Sequence, residues 1–244
     1  MPGSAMLGRF HELSLRTTDI RASVEFYESL GFSHCTTSDT WPHPYGVMTD
    51  GRIYLGLHEY KFPSPSITFV RPGIQEAVRQ FEALGIKLAF AKLADDSFNE
   101  FGFVDPAGQM SAVLEARTYF PTERRIQDVS SCGYFTEFSF PATAFESGRA
   151  FWEQLGFVAL EETETPYLRL PLTSDGIDLA LHRPRTFEQP LLVFTDPEMR
   201  ARVAALREAG LSLSAELPRG LDPDANALLL APEGTALLLL TGET

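Results

Sequence analysis

Two carboxylates and two imidazoles stand at matched places in this 244-residue chain. Glu12 and Glu137 each lie in a stretch that alternates apolar and polar residues, the pattern of a half-buried strand. His58 and His182 close later stretches of the same kind. In "RIYLGLHEY", residues 52–60, the apolar stripe is Ile53, Leu55 and Leu57, so Tyr54, Gly56 and His58 share the other face. A carboxylate and an imidazole across one cavity can do general acid/base work when burial tunes them. The plainer reading pairs each glutamate with an arginine or a backbone N–H and leaves each histidine as a polar strand end.

Aromatic residues supply a second kind of chemistry, recognition by shape. "TWPHPYGVM", residues 40–48, sets Trp41, His43 and Tyr45 around two prolines. Rings on a stiffened chain suit a planar ligand, although a loop packed over a core would use them too. "DDSFNEFGF", residues 95–103, adds Phe98 and Phe101 beside Asn99 and Glu100. Tyr167, Arg169 and Asp178 occupy comparable strands later in the chain. The last twenty or so residues are plain apolar strands with few groups for chemistry, so the principal pocket is expected in the first half. Cys35 and Cys132 are lone thiols, and neither a Ser/His/Asp arrangement nor a phosphate-cradling glycine loop occurs.

Composition narrows the partners. A formal net charge of −13 opposes nucleic acid and anionic membrane surfaces. No apolar run approaches the roughly 20 residues of a membrane span. Residues 1–7 lack a signal-peptide pattern, and two cysteines cannot make a disulfide framework. The expectation is a cytoplasmic protein, monomer or homodimer, that binds a small molecule.

The elements that must position these residues repeat. "ELSLRTTDIRASVEFYESLGF" (12–32) and "EFSFPATAFESGRAFWEQLGF" (137–157) align without a gap. Each reads as a strand followed by an amphipathic helix with Ile20, Val24, Tyr27 and Leu30 on one face. Asp19 suits the N-cap, and Gly31 and Gly156 suit left-handed C-caps. Two weaker copies begin at residues 66 and 191, with Pro72 and Pro197 expected in the first helical turn and Gly85 and Gly210 closing the helices. Asp50-Gly51 and Asp175-Gly176 mark hairpins. The unit is strand, helix, then about three strands. It predicts an α+β fold of four βαβββ modules, at 8–60, 63–117, 132–185 and 188–242. These form two domains, 8–117 and 132–242, with a linker at 118–131. A parallel α/β sheet is opposed by the hairpins.

These features together resemble the vicinal oxygen chelate superfamily, which includes glyoxalase I, bleomycin-resistance proteins and type I extradiol dioxygenases. The carriers are Asp19, Phe26, Tyr27 and Leu30-Gly31-Phe32, and the "FVDPAG" turn at residues 103–108. The later copy keeps Phe151, Trp152 and Leu155-Gly156-Phe157, but Ala144 replaces Asp19 and the turn is "APEG", residues 231–234. The resemblance implies curved, mostly antiparallel sheets with a ligand in the concave face. In many members a divalent metal is held there by His, Gln or Glu on the first and last strands of the modules.

Carried over residue by residue, that metal set thins out. Glu12 stands in the first-strand position, with His11 one residue off and therefore expected on the other face. His58 is available on a last strand, Ser66 is a poor ligand, and Ala112 falls where a glutamate belongs, three residues before Glu115. In the second half Glu137 and His182 match Glu12 and His58, while Pro190 or Leu191, and Leu238, occupy the remaining places. The leading expectation is a protein without a metal cofactor that binds a small, partly aromatic molecule, with or without acid/base chemistry from Glu12 and His58. One alternative is a divalent-metal enzyme (Ni, Zn, Fe or Mn) using Glu12, His58 and a third ligand. The other is a site-less tandem module acting in assembly.

Overall fold

A computed structural model describes residues 4–37, 41–94, 98–115, 130–214, 216–218 and 220–242. In chain order the first half holds α1 (Ser4–Leu7), β1 (Arg9–Arg16), α2 (Ile20–Ser29), β2 (Ser33–Cys35), β3 (Tyr45–Thr49), β4 (Tyr54–His58), β5 (Ser66–Arg71), α3 (Ile74–Ala83), β6 (Leu88–Lys92), β7 (Glu100–Val104) and β8 (Met110–Glu115). The second holds β9 (Tyr134–Pro141), α4 (Phe145–Gln154), β10 (Val158–Ala159), β11 (Arg169–Thr173), β12 (Leu179–His182), β13 (Leu191–Asp196), α5 (Met199–Glu208), β14 (Ala227–Leu230) and β15 (Ala236–Thr241).

Local chemistry sets the helix ends as expected. The Ala22 N–H donates to Asp19 Oδ1 at 3.0 Å, whereas Ala144 caps α4 with no side-chain bond. Gly31 and Gly156 take φ of +86° and +97°, a region that costs a residue with a Cβ strain. Pro72 and Pro197 fall two residues ahead of their helices rather than in the first turn, because Gly73 and Glu198 take the N-cap places.

The strands form an eight-stranded sheet, β2-β3-β4-β1-β5-β8-β7-β6, and a seven-stranded one, β10-β11-β12-β9-β13-β15-β14. The pairs β1–β4, β5–β8, β9–β12 and β13–β15 are parallel, and the other pairs within the two sheets are antiparallel. The fold is therefore α+β with two mostly antiparallel sheets. The fourth repeat departs from its expected form. Between α5 and β14 the described residues make one ladder-like bond, Ser214 N–H to the Leu228 carbonyl at 2.7 Å, but no strand. Among the described residues no helix is long and apolar enough to cross a membrane.

One buried cluster joins the helix-bearing faces of both sheets, from Leu13, Leu15, Tyr27 and Phe81 to Phe138, Trp152 and Phe194. Two reciprocal carboxylate contacts, made by three hydrogen bonds, lock it. Tyr27 and Ser23 on α2 donate to the two oxygens of Glu233 at 2.7 and 2.8 Å. Trp152 Nε1 on α4 donates to Asp105 Oδ2 at 3.0 Å. Each carboxylate belongs to the Pro-Gly turn of the other half. The helix ends read from the sequence as packing and capping residues thus also clasp the two halves together. Most of the expected linker, 118–131, lies outside the described residues; within the rest of it, Ser131 N–H bonds the Leu30 carbonyl at 2.8 Å.

Candidate functional site

Strand alternation sends Leu13 and Leu15 into the shared core, so Glu12 and Ser14 face the opposite, concave side of the first sheet. Pairing then brings distant residues to them. Thr68 on β5 lies opposite Glu12, Gly56 on β4 opposite Ser14, and Tyr45 on β3 opposite His58. Gly56 makes room: a Cβ there would stand 2.1 Å from Glu12 Oε1, so only glycine lets the carboxylate lie across β4.

Glu12 is 2% exposed, yet both its oxygens are satisfied. Oε1 accepts from Ser14 Oγ at 2.8 Å and from His58 Nε2 at 2.9 Å. Oε2 accepts from the Tyr45 hydroxyl at 2.6 Å. Burial pushes this carboxyl up, but the His58 bond, the nearby His11 and His58 charges and the Tyr45 bond outweigh it and hold it below its ordinary value. His58, itself 4% exposed, passes the chain on: its Nδ1 is 3.0 Å from His43 Nε2. Because Nε2 of His58 must donate to a carboxylate, Nδ1 of the neutral ring accepts from His43. His43 then keeps its own Nδ1 lone pair at the outer end. Burial, and then the positive charge that His58 carries when protonated, pull His43 below the ordinary histidine value.

Rings wall this chain. His58 meets Tyr45 at 4.6 Å, Trp41 edge-on at 5.2 Å and Phe62 at 5.6 Å. His43 stacks on Tyr60 at 5.0 Å, and Trp41 touches Phe98 at 6.4 Å. The Trp41 Nε1 atom is buried and has no acceptor among the described residues. Further along the concave face lie Ser66 and Thr68 on β5, Ala112 on β8 and Gly102 on β7, the last beneath the Phe90 ring of β6.

Of the residues expected in a first-half pocket, Glu12, His58, Trp41, His43, Tyr45 and Phe98 come together. Tyr54 begins β4 opposite Thr49 and is half-buried, four residues and roughly 13 Å of strand from His58. Phe101 does not join them. It faces the core, fully buried against Phe81 at 5.0 Å, because β7 alternates Gly102 outward to the concave side. Two wall residues, Tyr60 and Phe62, escaped the sequence reading; their only signal is a pair of aromatics directly after His58. A separate open depression of about 320 Å³ lies outside this cluster, between Leu84, Pro106 and Phe151.

The second concave face uses the same register differently. Arg169 stands opposite His182, where Tyr45 stands opposite His58. It binds Glu137 Oε2, while the other oxygen of that buried carboxylate has no partner among the described residues. Burial pushes Glu137 up to about 7, against the pull of Arg169. His182 is fully buried, accepts from Ser139 at 2.8 Å and donates to the Phe187 carbonyl at 3.1 Å. Burial drives it down to about 4, so it is neutral. Tyr167 is buried edge-on to it at 6.2 Å. Around them Leu191, Val193, Leu228, Leu238 and Leu240 fill the face. Asp178, expected in a pocket, is exposed and accepts the Thr173 hydroxyl at 2.6 Å, bracing the hairpin.

The donor set does not fit a divalent cation. In the first half Glu12 and His58 spend their polar atoms on each other, Ser14, Tyr45 and His43, and Thr68 and Ala112 occupy the facing strands. Glu115 is drawn off by Asn99 Nδ2 at 2.6 Å. His11 corrects one expectation: a bulge between Phe10 and Glu12 brings its Nε2 within 4.0 Å of Glu12 Oε2 instead of turning it to the far face. Among the described residues no group of three or more His, Cys, Asp or Glu side chains is arranged to hold a metal.

No family model and no curated protein matches the sequence. Solved structures do share the fold. A catechol 2,3-dioxygenase is 12% identical, with a TM-score of 0.61 over 97% of this chain and 88% of that one. Homoprotocatechuate 2,3-dioxygenase from Arthrobacter globiformis is 15% identical, with a TM-score of 0.63 over 97% of this chain and 80% of that one. An extradiol ring-cleaving dioxygenase from B. fuscum is 15% identical, with a TM-score of 0.62 over 97% of this chain and 72% of that one. The chain thus shares the fold of these dioxygenases, and at such identity the likeness establishes fold alone.

Proposed function

We propose that the protein binds a small, partly aromatic molecule on the concave face of its first half and exchanges a proton with it through His43, without a metal ion. The observation that carries this reading is the Glu12–His58–His43 chain, buried at its carboxylate end, open at its imidazole end and walled by rings. Glu12 and His58 were the expected acid and base. Their burial and full set of bonds make them positioning residues instead, and His43 is the group that meets a ligand.

The steps balance within the chain. His43 Nδ1 takes a proton from the ligand, and its Nε2 proton passes to His58 Nδ1. His58 becomes an imidazolium held against the Glu12 carboxylate, which stabilises the charge without itself being protonated. Return of the proton to a different ligand atom completes an isomerisation; return to the same atom leaves a binding protein.

A calorimetric screen of aromatic small molecules tests the reading. Binding weakened more by Trp41→Ala or His43→Ala than by Tyr167→Ala or His182→Ala is the expected result. The opposite order sinks it. The rival reading, a divalent ion on Glu12 and His58, predicts stoichiometric metal in untagged protein that disappears in Glu12→Gln.

A further inference from the structure

We infer that the Trp41 indole N–H is the polar anchor of the first concave face, and that the molecule it receives is an uncharged planar aromatic bearing a carbonyl oxygen. This rests on the proposed function and names the ligand class for the same site.

The chain has two tryptophans. One, Trp152, gives its N–H to Asp105 at 3.0 Å. The other, Trp41, holds its N–H buried with no acceptor among the described residues. A buried donor left unmet costs about 1–3 kcal/mol, so it is the group with most to gain from a ligand's oxygen. Its place is the reactive cluster: the Trp41 ring lies 5.2 Å from His58, 5.5 Å from His43 and 6.0 Å from Tyr45. Within that cluster Glu12 is already bonded by Ser14, Tyr45 and His58, and none of these bonds reaches the indole.

Charge selects among acceptors. The side chains in ring or hydrogen-bond contact with His58 are Glu12, Trp41, His43, Tyr45 and Phe62, none a lysine or arginine. A ligand carboxylate would meet the Glu12 charge with no lysine or arginine among these contacts to offset it, and the nearby His11 and His58 are already drawn to Glu12. A carbonyl satisfies the indole N–H at no such cost. It also leaves the planar body to the rings of Trp41, Phe62 and Phe98.

Three matched probes test this on wild-type protein: 2-acetylnaphthalene, 2-naphthoate and 2-isopropylnaphthalene. Two indole N–H signals are expected in a ¹H–¹⁵N spectrum, and Trp41→Phe removes one and so assigns them. The acetyl probe should move the Trp41 signal downfield and leave Trp152 in place. It should bind about tenfold tighter than the isopropyl probe, the worth of one hydrogen bond to a buried donor, and tighter than the naphthoate. Trp41→Phe, which keeps a ring, should bring the acetyl-to-isopropyl ratio close to one. Equal binding of those two by wild type, a preference that survives Trp41→Phe, or tightest binding of the naphthoate overturns the inference and leaves the proposed function standing. Failure of all three probes to bind overturns both.

Discussion

The two concave faces begin from the same residues and end as opposites. Glu12 and Glu137 hold the same strand position, as do Ser14 and Ser139, and His58 and His182. What differs is their neighbours. Tyr45 becomes Arg169, Gly56 becomes Ala180, Thr68 becomes Val193, and the facing pair Gly102 and Ala112 becomes Leu228 and Leu238. In the first half a hydroxyl and a glycine notch let the carboxylate reach its histidine. In the second an arginine draws the carboxylate away and leucines close the space, so the histidine turns to Ser139 and a backbone carbonyl. The chemistry of a site therefore depends less on its titratable groups than on the uncharged residues that decide which of them can touch.

Breaking the leucine filling should have the largest effect. Leu238→Ala leaves a hole in the second face and should cost about 2–5 kcal/mol in urea unfolding. Ala112→Leu, its mirror, should change stability little but abolish small-molecule binding. A loss of binding in Leu238→Ala with Ala112→Leu unaffected would reverse the assignment of pocket and plug.

Titration separates the halves next. His182 is held near 4 against an ordinary 6.5, so the unfolded chain binds the proton more readily and stability falls as pH drops from 6.5 to 4. His182→Gln should gain on wild type over that window, by up to about 1.4 kcal/mol per pH unit. Glu137, raised from 4.5 to about 7, has the opposite sign: folding favours its protonated form, and stability falls as pH rises from 4.5 to 7. Glu137→Gln should gain on wild type as pH rises. Thermal unfolding of both variants across pH 4–8 checks the pair, and parallel curves would refute it.

Smaller effects probe the first face. Gly56→Ala sets a Cβ against the Glu12 carboxylate and should cost about 1–3 kcal/mol through lost hydrogen bonds, with weakened ligand binding. Ala180→Gly at the matching place should cost only about 0.5–1 kcal/mol of strand propensity. Tyr45→Phe should likewise cost only about 1 kcal/mol. Glu12 is depressed, so its contribution is present above 4.5 and lost as pH falls through its folded value. Removing the Tyr45 bond should move that loss to higher pH.

Much of the scaffold was legible because its signals are local. Asp19 reads as a cap from its own side chain, Gly31 from the left-handed turn it permits, and Asp50-Gly51 from a hairpin whose Asp50 Oδ1 accepts Arg52 and Ile53 N–H at 2.9 and 3.0 Å. Phe101 was misjudged because it and Phe98 look alike in sequence, and only pairing with β8 shows that it points inward. His11 was misjudged because a bulge breaks the period of two on which strand faces are counted. Tyr60 and Phe62 were missed because they lie past the strand end, where no periodicity applies.

The sequence by itself determined the unit, its strand faces, and hence that Glu12 and Glu137 would leave the core side of their strands. Cap, turn and alternation each act within a few residues, so the chain carries them openly. Only the tertiary structure decided that Glu12 and His58 lie buried and bonded to each other while His43 ends the chain outward. It also decided that Glu137 and His182 never meet. Those outcomes depend on which strand lies beside which and on the volume of residues some 40 to 100 positions apart. Hydrogen bonds and filled space are properties of such neighbours, not of any single segment.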